Sequence, residues 1–276
     1  MPCSTVLDSK ALHLRRKVLD IFLNAGRGHL LSAFSCLDII SVLYDSVLQV
    51  RPDEPDWPLR DRFILSKGHG ALALYTILSE NLFFSGEELE TFCNFASKAG
   101  GHPERNALPG IEASTGSLGH GPSLGVGMAL AARLDRRASR VFVLCGDGET
   151  NEGSVWEACL YASKYALTNF TLLIDYNKQQ SWGNINDIMP LEPYADKFRA
   201  FGFAVEEVDG HDTSALRETF SRLPFHPEKP SCLICHTTRG KGIPFLEGNL
   251  DWHHKARLST AERSALESAL HAGALS

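Results

Sequence analysis

The segment Val141-Phe142-Val143-Leu144-Cys145-Gly146-Asp147-Gly148 combines a continuous apolar run with a polar turn that is rich in glycine. An apolar run without alternation is typical of a strand that is buried on both faces of a parallel sheet. A helix is predicted next, at residues 154–165, and then a second strand at residues 170–175, which is closely followed by Asn177. In open α/β sheets, ligands bind beyond the carboxyl ends of the strands. We therefore expect Asp147 and Asn177 to lie at the same ligand-binding edge of a sheet.

Helix and strand signals alternate along the rest of the chain, which predicts α/β layers. The expected architecture is a three-layer, doubly wound, mostly parallel sheet with helices on both faces, formed by residues 1–276 as a single domain. Apolar spacing predicts further helices at residues 10–24, 36–48, from about 71, 124–134 and 213–223. Further strands are predicted at residues 62–65, 203–208 and 231–236, with long loops at 100–122 and 239–255. Asp38 is expected in the first turn of its helix.

Composition and charge exclude several classes of function. The 276 residues carry a net charge of −6 and contain no block of lysine or arginine, so a nucleic-acid surface is not expected. No apolar run approaches the ~20 residues needed to cross a bilayer, and Met1 to Lys10 lacks the pattern of a secretory signal. We therefore expect a cytoplasmic protein that acts on a small molecule and away from membranes.

The seven cysteines do not indicate a disulfide framework, because their number is odd and they are spread along the chain. Cys232, Cys235 and His236 form a C-x-x-C-H spacing that also occurs at haem-attachment and redox sites. The surrounding run is apolar, however, and suits a buried strand, in which residues three apart point to opposite faces. We therefore expect reduced cysteines with a structural role.

Asp147 and Asn177 are expected to present a carboxylate and an amide oxygen at one edge of the sheet. Together with a backbone carbonyl, these oxygens suit a hard cation such as Mg²⁺ or Ca²⁺, and Mg²⁺ commonly completes its shell with water and phosphate oxygens. The glycines beside Asp147 let a phosphate approach the backbone, and the helix predicted from Ser154 adds a positive dipole end. The pattern suits a metal-bridged diphosphate, although such residues also occur in ordinary turns.

Six ordered motifs resemble those of the transketolase family of thiamine diphosphate enzymes. Gly146-Asp147-Gly148, followed by Asn177, is similar to the thiamine diphosphate signature, which begins Gly-Asp-Gly and ends in Asn. The other motifs are Ser66-Lys67-Gly68-His69-Gly70, Gly101-His102-Pro103-Glu104, Ser114-Thr115-Gly116-Ser117-Leu118-Gly119, Thr238-Arg239-Gly240-Lys241-Gly242 and Trp252-His253. The resemblance runs from about residue 10 to residue 260, and it implies the thiamine diphosphate-binding α/β fold.

The resemblance also implies which residues contact the cofactor and the metal. The metal ligands it implies are Asp147, Asn177 and the backbone carbonyl of Gln179. The cofactor contacts it implies are His69, Gly116, Leu118, Gly146, Gly148 and Asn177. The expected cofactors are therefore thiamine diphosphate and Mg²⁺ (or Ca²⁺).

Catalytic residues follow from the same resemblance. His29, His102 and His253 match the family's substrate-channel histidines, and imidazoles that titrate near neutrality suit proton movement on hydroxyl and carbonyl oxygens. His253 is preferred to His254 because it directly follows a tryptophan, as in the family pattern. Glu152 matches an acidic residue that communicates with the partner's catalytic glutamate across an interface.

The implied activity is the transfer of a two-carbon ketol unit from a ketose to an aldehyde acceptor. In this family the glutamate that activates the cofactor lies in a second, pyrimidine-binding domain, and Ser276 comes soon after the first domain is expected to end. We therefore expect a separate C-terminal transketolase-like subunit that carries this domain, in an α₂β₂ assembly with the active site between chains.

Departures from the family pattern leave the substrate open. Leu30-Leu31-Ser32-Ala33-Phe34 is bulkier than the stretch that usually follows the first histidine, and we expect it to narrow the channel. His120 and Trp182 also replace residues that are common in the family. These departures suggest a substrate other than the common pentose phosphates. Two alternatives remain: a subunit that decarboxylates a 2-oxo acid such as pyruvate and transfers the acyl unit, and a non-catalytic metabolite-binding protein.

Overall fold

The protein is described by a computed structural model that covers residues 6–255 and 257–271. Its strands are β1 (Arg62–Leu65), β2 (Val141–Gly146), β3 (Phe170–Tyr176), β4 (Gln179–Gln180), β5 (Gly183–Asn184), β6 (Ala204–Asp209) and β7 (Ser231–His236). Its helices are α1 (Ser9–Ala25), α2 (Leu30–Ser46), α3 (Ala71–Glu80), α4 (Glu87–Glu90), α5 (His120–Leu134), α6 (Gly153–Lys164), α7 (Ile185–Ile188), α8 (Tyr194–Ala200), α9 (Thr213–Ser221) and α10 (Thr260–His271).

The central sheet is parallel, and β3 lies at its middle. Its strand order is β1-β2-β3-β7-β6, and every neighbouring pair runs in the same direction. All residues of β2 and β3 are buried, as the continuous apolar runs predict. The short strands β4 and β5 form a separate antiparallel hairpin just after β3. Asp147 and Asn177 consequently follow adjacent strands and lie at the same edge, as predicted.

Helices cover both faces of this sheet, which confirms the three-layer architecture. On one face, α1, α2, α3 and α9 pack on inward-facing strand residues such as Phe142 and Leu144. On the other face, α5, α6 and α8 pack on Val143 and Cys145. Each of these β2 side chains lies opposite to its neighbours in sequence, because successive strand residues alternate between the faces.

Helix α2 differs from its prediction, because it begins at Leu30 and not at residue 36. Almost every residue of α2 is buried, so the helix lacks the polar stripe that marks the bounds of an amphipathic helix. The expectation that Asp38 lies in the first turn is wrong. Its carboxylate is fully buried and accepts hydrogen bonds from Arg15 Nη1 and Nη2, and its Oδ2 lies 2.8 Å from His211 Nδ1.

Helix α5 also begins earlier than predicted, at His120, inside a segment that was expected to be a loop. Gly119 takes a left-handed φ of 80° just before it, which only glycine adopts without strain. Pro122 then falls in the first turn of the helix, where proline interrupts no intrahelical hydrogen bond. Glycine and proline therefore mark the start of this helix and not an extended loop.

The cysteines match their prediction. Cys232 and Cys235 are buried in strand β7, and they belong to the two different cores on opposite faces of the sheet. All six cysteines in the described part of the chain are free. Among the described residues, no helix is both long enough and apolar enough to cross a membrane.

Candidate active site

A cavity of about 260 Å³ opens at the carboxyl ends of β1, β2, β3 and β7. It collects side chains and backbone from loops that lie far apart in sequence. Its walls are formed by His29, Ser32, Lys67, His69, His102, Gly116, Leu118, Gly146, Asp147, Gly148, Glu149, Asn177, Gln179, Gln180, Ser181, Arg239 and His253. Every residue predicted to bind metal or cofactor is among them, and so are the three predicted channel histidines.

Asp147 is the most deeply buried acidic residue in the cavity wall. One carboxylate oxygen accepts a hydrogen bond from the Gly148 amide at 2.7 Å, and the other accepts one from the Lys178 amide at 2.5 Å. Burial, and then repulsion from Asp175, raises the pKa of Asp147 to about 7. The ionised carboxylate is therefore costly in this position, and a bound cation would stabilise it.

The loop after β3 is folded back against Asp147. Asn177 is half-buried, and its Oδ1 accepts a hydrogen bond from the Gln179 amide at 3.1 Å. Gln179 begins the short hairpin and donates from its Nε2 to the Gly248 carbonyl at 2.9 Å. Both residues thus reach the cavity through a tight turn, and the Lys178 amide holds that turn to Asp147.

Unsatisfied polar atoms in the cavity wall fit a charged, polar ligand. Gln179 Oε1, Gln180 Nε2 and Arg239 Nε are buried and have no hydrogen-bond partner, although buried polar groups are normally paired. Space is tight beside the Gly-Asp-Gly turn, because a Cβ placed on Gly148 would lie 2.8 Å from Gln180 Cγ. A glycine at this position therefore keeps the backbone accessible to a diphosphate.

In the described part of the chain, no group of three or more His, Cys, Asp and Glu side chains is arranged to hold a metal ion. The predicted ligand set is of another kind, with one carboxylate, one amide oxygen and one backbone carbonyl. Such a set leaves several positions for phosphate and water, as Mg²⁺ usually requires. The donors present therefore suit a hard cation that is shared with a bound diphosphate.

A buried ion pair lies next to Asp147. The Lys67 ammonium contacts the Asp175 carboxylate and also donates to Ser35 Oγ and to the Ser32 carbonyl, both at 3.2 Å. Burial opposes ionisation of Asp175, but the Lys67 charge outweighs it and lowers the pKa of that carboxyl. Lys67 lines the cavity, so its ammonium, held in place by Asp175, is a fixed cationic group beside the expected diphosphate, although the pair as a whole is neutral.

Glu149 connects three loops beneath the cavity. Its carboxylate accepts hydrogen bonds from the Gly119 amide at 2.8 Å, from the Gly146 amide at 3.0 Å and from Ser66 Oγ. Burial raises its pKa. Glu149 is not among the residues predicted from the sequence, although it lies only two positions after Asp147. Its contacts hold the three loops together at the cavity.

Four histidines from three other segments of the chain surround His29. Its ring centroid lies 5.5 Å from that of His69, 6.0 Å from His102, 5.8 Å from His253 and 4.5 Å from His254. Burial, followed by repulsion from His254 and His253, lowers the pKa of His29 to about 3. Burial also lowers the pKa values of His69, His102 and His253. Each of these pKa values lies below the ordinary value of histidine, so the neutral imidazole is the favoured form near pH 7.

His253 and His254 take different positions, which bears on the predicted choice between them. His253 lies in the cavity wall, with Nε2 2.9 Å from Ser181 Oγ and Nδ1 in contact with Arg239 Nη2. His254 is exposed and packs on His29 outside the group of residues that line the cavity. Arg239 belongs to a motif that is visible in the sequence, but no local pattern indicates that it contacts this histidine.

Glu152 is the one predicted site residue that lies outside the cavity wall. It is exposed and occupies the cap position before α6. The expectation that the bulky 30–34 segment narrows the channel is wrong. Leu30, Leu31 and Phe34 point into the hydrophobic core as part of α2, and only Ser32 from that segment lines the cavity. Trp182 is 90% exposed and His120 is exposed, so neither belongs to the wall.

Comparisons with known proteins agree with this geometry. Residues 8–272 match the family model described as "Transketolase, thiamine diphosphate binding domain". The chain is 42% identical to one subunit of the apulose-4-phosphate transketolase of Phocaeicola vulgatus, over 87% of this chain and 85% of that protein. It is 38% identical to a 6-deoxy-6-sulfo-D-fructose transketolase subunit of a Clostridium species, over 90% of each chain.

Solved structures give the same result for the fold. The transketolase of Leishmania mexicana superposes with a TM-score of 0.86 and 29% identity, over 94% of this chain and 40% of that one. The transketolase of Campylobacter jejuni superposes with a TM-score of 0.84 and 30% identity, over 97% of this chain and 47% of that one. The chain thus spans less than half the length of these two structures.

Proposed function

The chain belongs to the transketolase family, and from that premise we propose that it is the diphosphate- and metal-binding subunit of a two-chain, thiamine diphosphate-dependent transketolase. The observation that carries this proposal is the cavity at the strand ends, which brings together residues from all six motifs. The activity is that of a transferase that moves a two-carbon ketol unit from a ketose to an aldehyde. Similarity to named transketolase subunits does not favour a 2-oxo-acid decarboxylase or a non-catalytic binding protein.

In this proposal the floor of the cavity holds the cofactor's diphosphate. When bound, thiamine diphosphate supplies the nucleophile and the electron sink for breaking and making a carbon–carbon bond. Asp147, Asn177 and the Gln179 carbonyl would hold Mg²⁺ or Ca²⁺, since these oxygens suit a hard cation. Gly146 and Gly148 would admit the diphosphate to the backbone. The unsatisfied Gln179 Oε1 and Arg239 Nε support this assignment, because a polar ligand would satisfy such atoms.

In this proposal the upper wall of the cavity contacts the ring portion of the cofactor and the sugar substrate. His69, Gly116 and Leu118 would face the cofactor's ring portion. His29, His102 and His253 would hydrogen-bond the hydroxyl and carbonyl oxygens of the sugar. Their lowered pKa values support a role as neutral imidazoles, which donate or accept a hydrogen bond at a free nitrogen according to the tautomer and so suit the oxygens of a sugar.

We also propose that the substrates differ from the common pentose phosphates. The bulk of the 30–34 segment does not support this idea, because those apolar side chains lie in the core. The names of the relatives do support it, since two of them act on apulose 4-phosphate and on 6-deoxy-6-sulfo-D-fructose. A screen of ketose donors and aldehyde acceptors tests the proposal, and xylulose and ribose phosphates as the best pair would contradict it.

The partner is a further part of the proposal. We propose that residues 1–276 form a single domain and that a separate C-terminal subunit supplies the pyrimidine-binding domain, in an α₂β₂ assembly. The relatives that are named as one subunit of a transketolase support a two-chain enzyme. The exposed position of Glu152 supports its role at the interface with that partner. The free cysteines of the described chain support a reducing, cytoplasmic location.

The test begins with a tagged pull-down that identifies the co-purifying chain by mass spectrometry. Thiamine diphosphate is then titrated calorimetrically into the complex, with and without Mg²⁺. Asp147→Ala is expected to weaken Mg²⁺-dependent binding by about 100-fold or more, because even outer contacts of a metal site contribute about 10–100-fold. Asp196→Ala removes an exposed carboxylate that does not line the cavity and serves as the control. Unchanged binding in Asp147→Ala would contradict the metal assignment.

A further inference from the structure

Three side chains form a hydrogen-bonded chain along the cavity wall. The guanidinium of Arg239 contacts Nδ1 of His253 through Nη2, and Nε2 of His253 lies 2.9 Å from the hydroxyl of Ser181. Arg239 is 3% exposed and follows β7, Ser181 lies in the turn between β4 and β5, and His253 comes from the long loop before α10. All three residues line the cavity. The chain therefore joins three loops at the place where the reacting molecules are expected.

The contact with arginine determines which imidazole nitrogen carries the proton. A guanidinium has five N–H donors, no acceptor, and stays protonated at any physiological pH. Nδ1 of His253 must therefore accept through its lone pair, and the proton of the neutral ring must reside on Nε2. The tautomer of a histidine is generally set in this way by the partner of the other nitrogen. It follows that Nε2 of His253 donates its hydrogen bond and that the Ser181 oxygen accepts it.

Several neighbouring groups oppose the protonation of Nδ1 in His253. It would break the bond from Arg239 and place an imidazolium beside a guanidinium. Lys67 adds a positive charge from the loop after β1, and His254 adds a further titratable ring. Burial and then these groups lower the pKa of His253 to about 4. The neutral ring with its proton on Nε2 is consequently the form that is present near pH 7.

We propose that Arg239 is a positioning residue that fixes His253 as a hydrogen-bond donor through Nε2, so that this histidine donates to a substrate oxygen and does not act as a base from that nitrogen. This inference rests on the proposed transketolase function. A carbonyl or hydroxyl oxygen of a sugar that reaches the wall competes with Ser181 for the same N–H. The charge-assisted bond from Arg239 also polarises the ring and lowers the cost of directing that N–H toward a developing negative charge.

The same geometry excludes a role for Ser181 as a nucleophile that is activated by His253. A nucleophilic serine needs a histidine that accepts its proton, and a third group, usually a carboxylate, must hold the opposite N–H of that histidine. Here the third group is a cation that occupies the lone pair of Nδ1, which leaves Nε2 without acceptor capacity. Ser181 therefore acts as a hydrogen-bond acceptor and not as a nucleophile.

The test reads the tautomer directly from the ¹⁵N-labelled full chain in long-range ¹H–¹⁵N spectra at pH 7, with the His253 signals identified by their loss in His253→Gln. The wild type is expected to show a proton on Nε2. In Arg239→Met the ratio of the Nε2–H to the Nδ1–H tautomer is expected to fall at least about tenfold, because a charge-assisted hydrogen bond is lost. Arg239→Lys keeps a charged donor and is expected to retain the wild-type tautomer.

Ser181→Ala serves as the matched control, because it removes the other partner of the ring and is expected to leave the tautomer unchanged. A wild-type ring with its proton on Nδ1, or an unchanged tautomer in Arg239→Met, would overturn the proposal. If Arg239→Met does not fold, the wild-type, Arg239→Lys and Ser181→Ala spectra still decide. The spectra need neither substrate nor cofactor, so the tautomer result is independent of whether the complex has transketolase activity.

In the active complex, Arg239→Met is expected to lower kcat and Arg239→Lys to restore most of it, at equal thermal stability. Loss of kcat in both variants would overturn the proposed role of the donor. Absence of ketol transfer in the wild-type complex, together with the expected tautomer, would count against the proposed function alone.

Discussion

Replacing Lys67 by methionine is expected to destabilise the protein strongly, because it leaves a buried carboxylate without its counter-charge. The side chains of Lys67 and Asp175 are 1% and 0% exposed, and the ammonium contacts that carboxylate. Methionine has a similar length but no charge. Removing one partner of a buried ion pair typically costs about 3–5 kcal/mol. For a chain of this size, that loss corresponds to a fall in Tm of roughly 6–20 °C.

The assay is urea unfolding followed by circular dichroism, with the free energy of unfolding extrapolated linearly to water. Lys10→Met is the matched control, since it makes the same substitution in the Lys10–Asp45 pair, where the lysine side chain is 48% exposed. Exposed pairs contribute at most about 1 kcal/mol, so this variant is expected to remain close to the wild type.

A double variant separates the loss of stability that is caused by the unpaired charge from the loss that is caused by altered packing. Asp175→Leu in the Lys67→Met background removes the unpaired carboxylate and is expected to recover a large part of the stability, because apolar replacement of a whole buried pair is often nearly neutral. The reasoning would be refuted if Lys67→Met cost no more than Lys10→Met. It would also be refuted if the double variant were less stable than Lys67→Met alone.

Two further predictions concern the scaffold. In helix α5, Gly125→Ala places a Cβ 2.4 Å from Val143 Cγ2 and is expected to lower the free energy of unfolding by about 1–3 kcal/mol. Gly127→Ala places its Cβ in open space and is expected to raise that free energy by up to about 1 kcal/mol. Equal urea midpoints for the two variants would contradict this prediction. Burial opposes ionisation of Asp38, but Arg15 outweighs it and lowers its pKa to about 2, so the stability it contributes is present above pH 3.8 and is lost as the pH falls toward 2. Asp38→Asn is expected to flatten that part of the pH–stability curve, and an unchanged slope would argue against the pairing.

The fold could be predicted from sequence where the pattern is local. Strands β2 and β3 are apolar throughout and end in polar turns, so the composition of each run is enough to place it. The start of α2 cannot be placed in this way, because a helix that is buried on nearly all sides has no periodic polar face. The prediction for Asp38 is wrong for a related reason, since its partners Arg15 and His211 come from distant segments that local spacing does not reveal.

The residues of the site can be predicted where they belong to a motif that is recognisable in the sequence. The aspartate, asparagine, glycines and histidines of the motifs meet in the cavity as expected. Lys67 and Arg239 lie within the same motifs, but their importance depends on contacts with Asp175 and His253, which only the folded chain brings together. The lowered pKa values of the histidines could not be predicted either, because the sequence does not show that these rings crowd one another beside fixed positive charges.

The parallel sheet determines when this site can exist during folding. Arg62 of β1 pairs with Val141 of β2, and the cavity is lined by residues from His29 to His253, so many of the contacts that build it join distant parts of the chain. Non-local pairing must overcome a large loss of chain entropy and therefore forms slowly. The wall of the cavity is consequently complete only after the segments that carry His29 and His253 have packed beside the strand ends. We therefore expect the nascent chain to acquire cofactor affinity late in folding, so that a bound cofactor reports that the fold is complete.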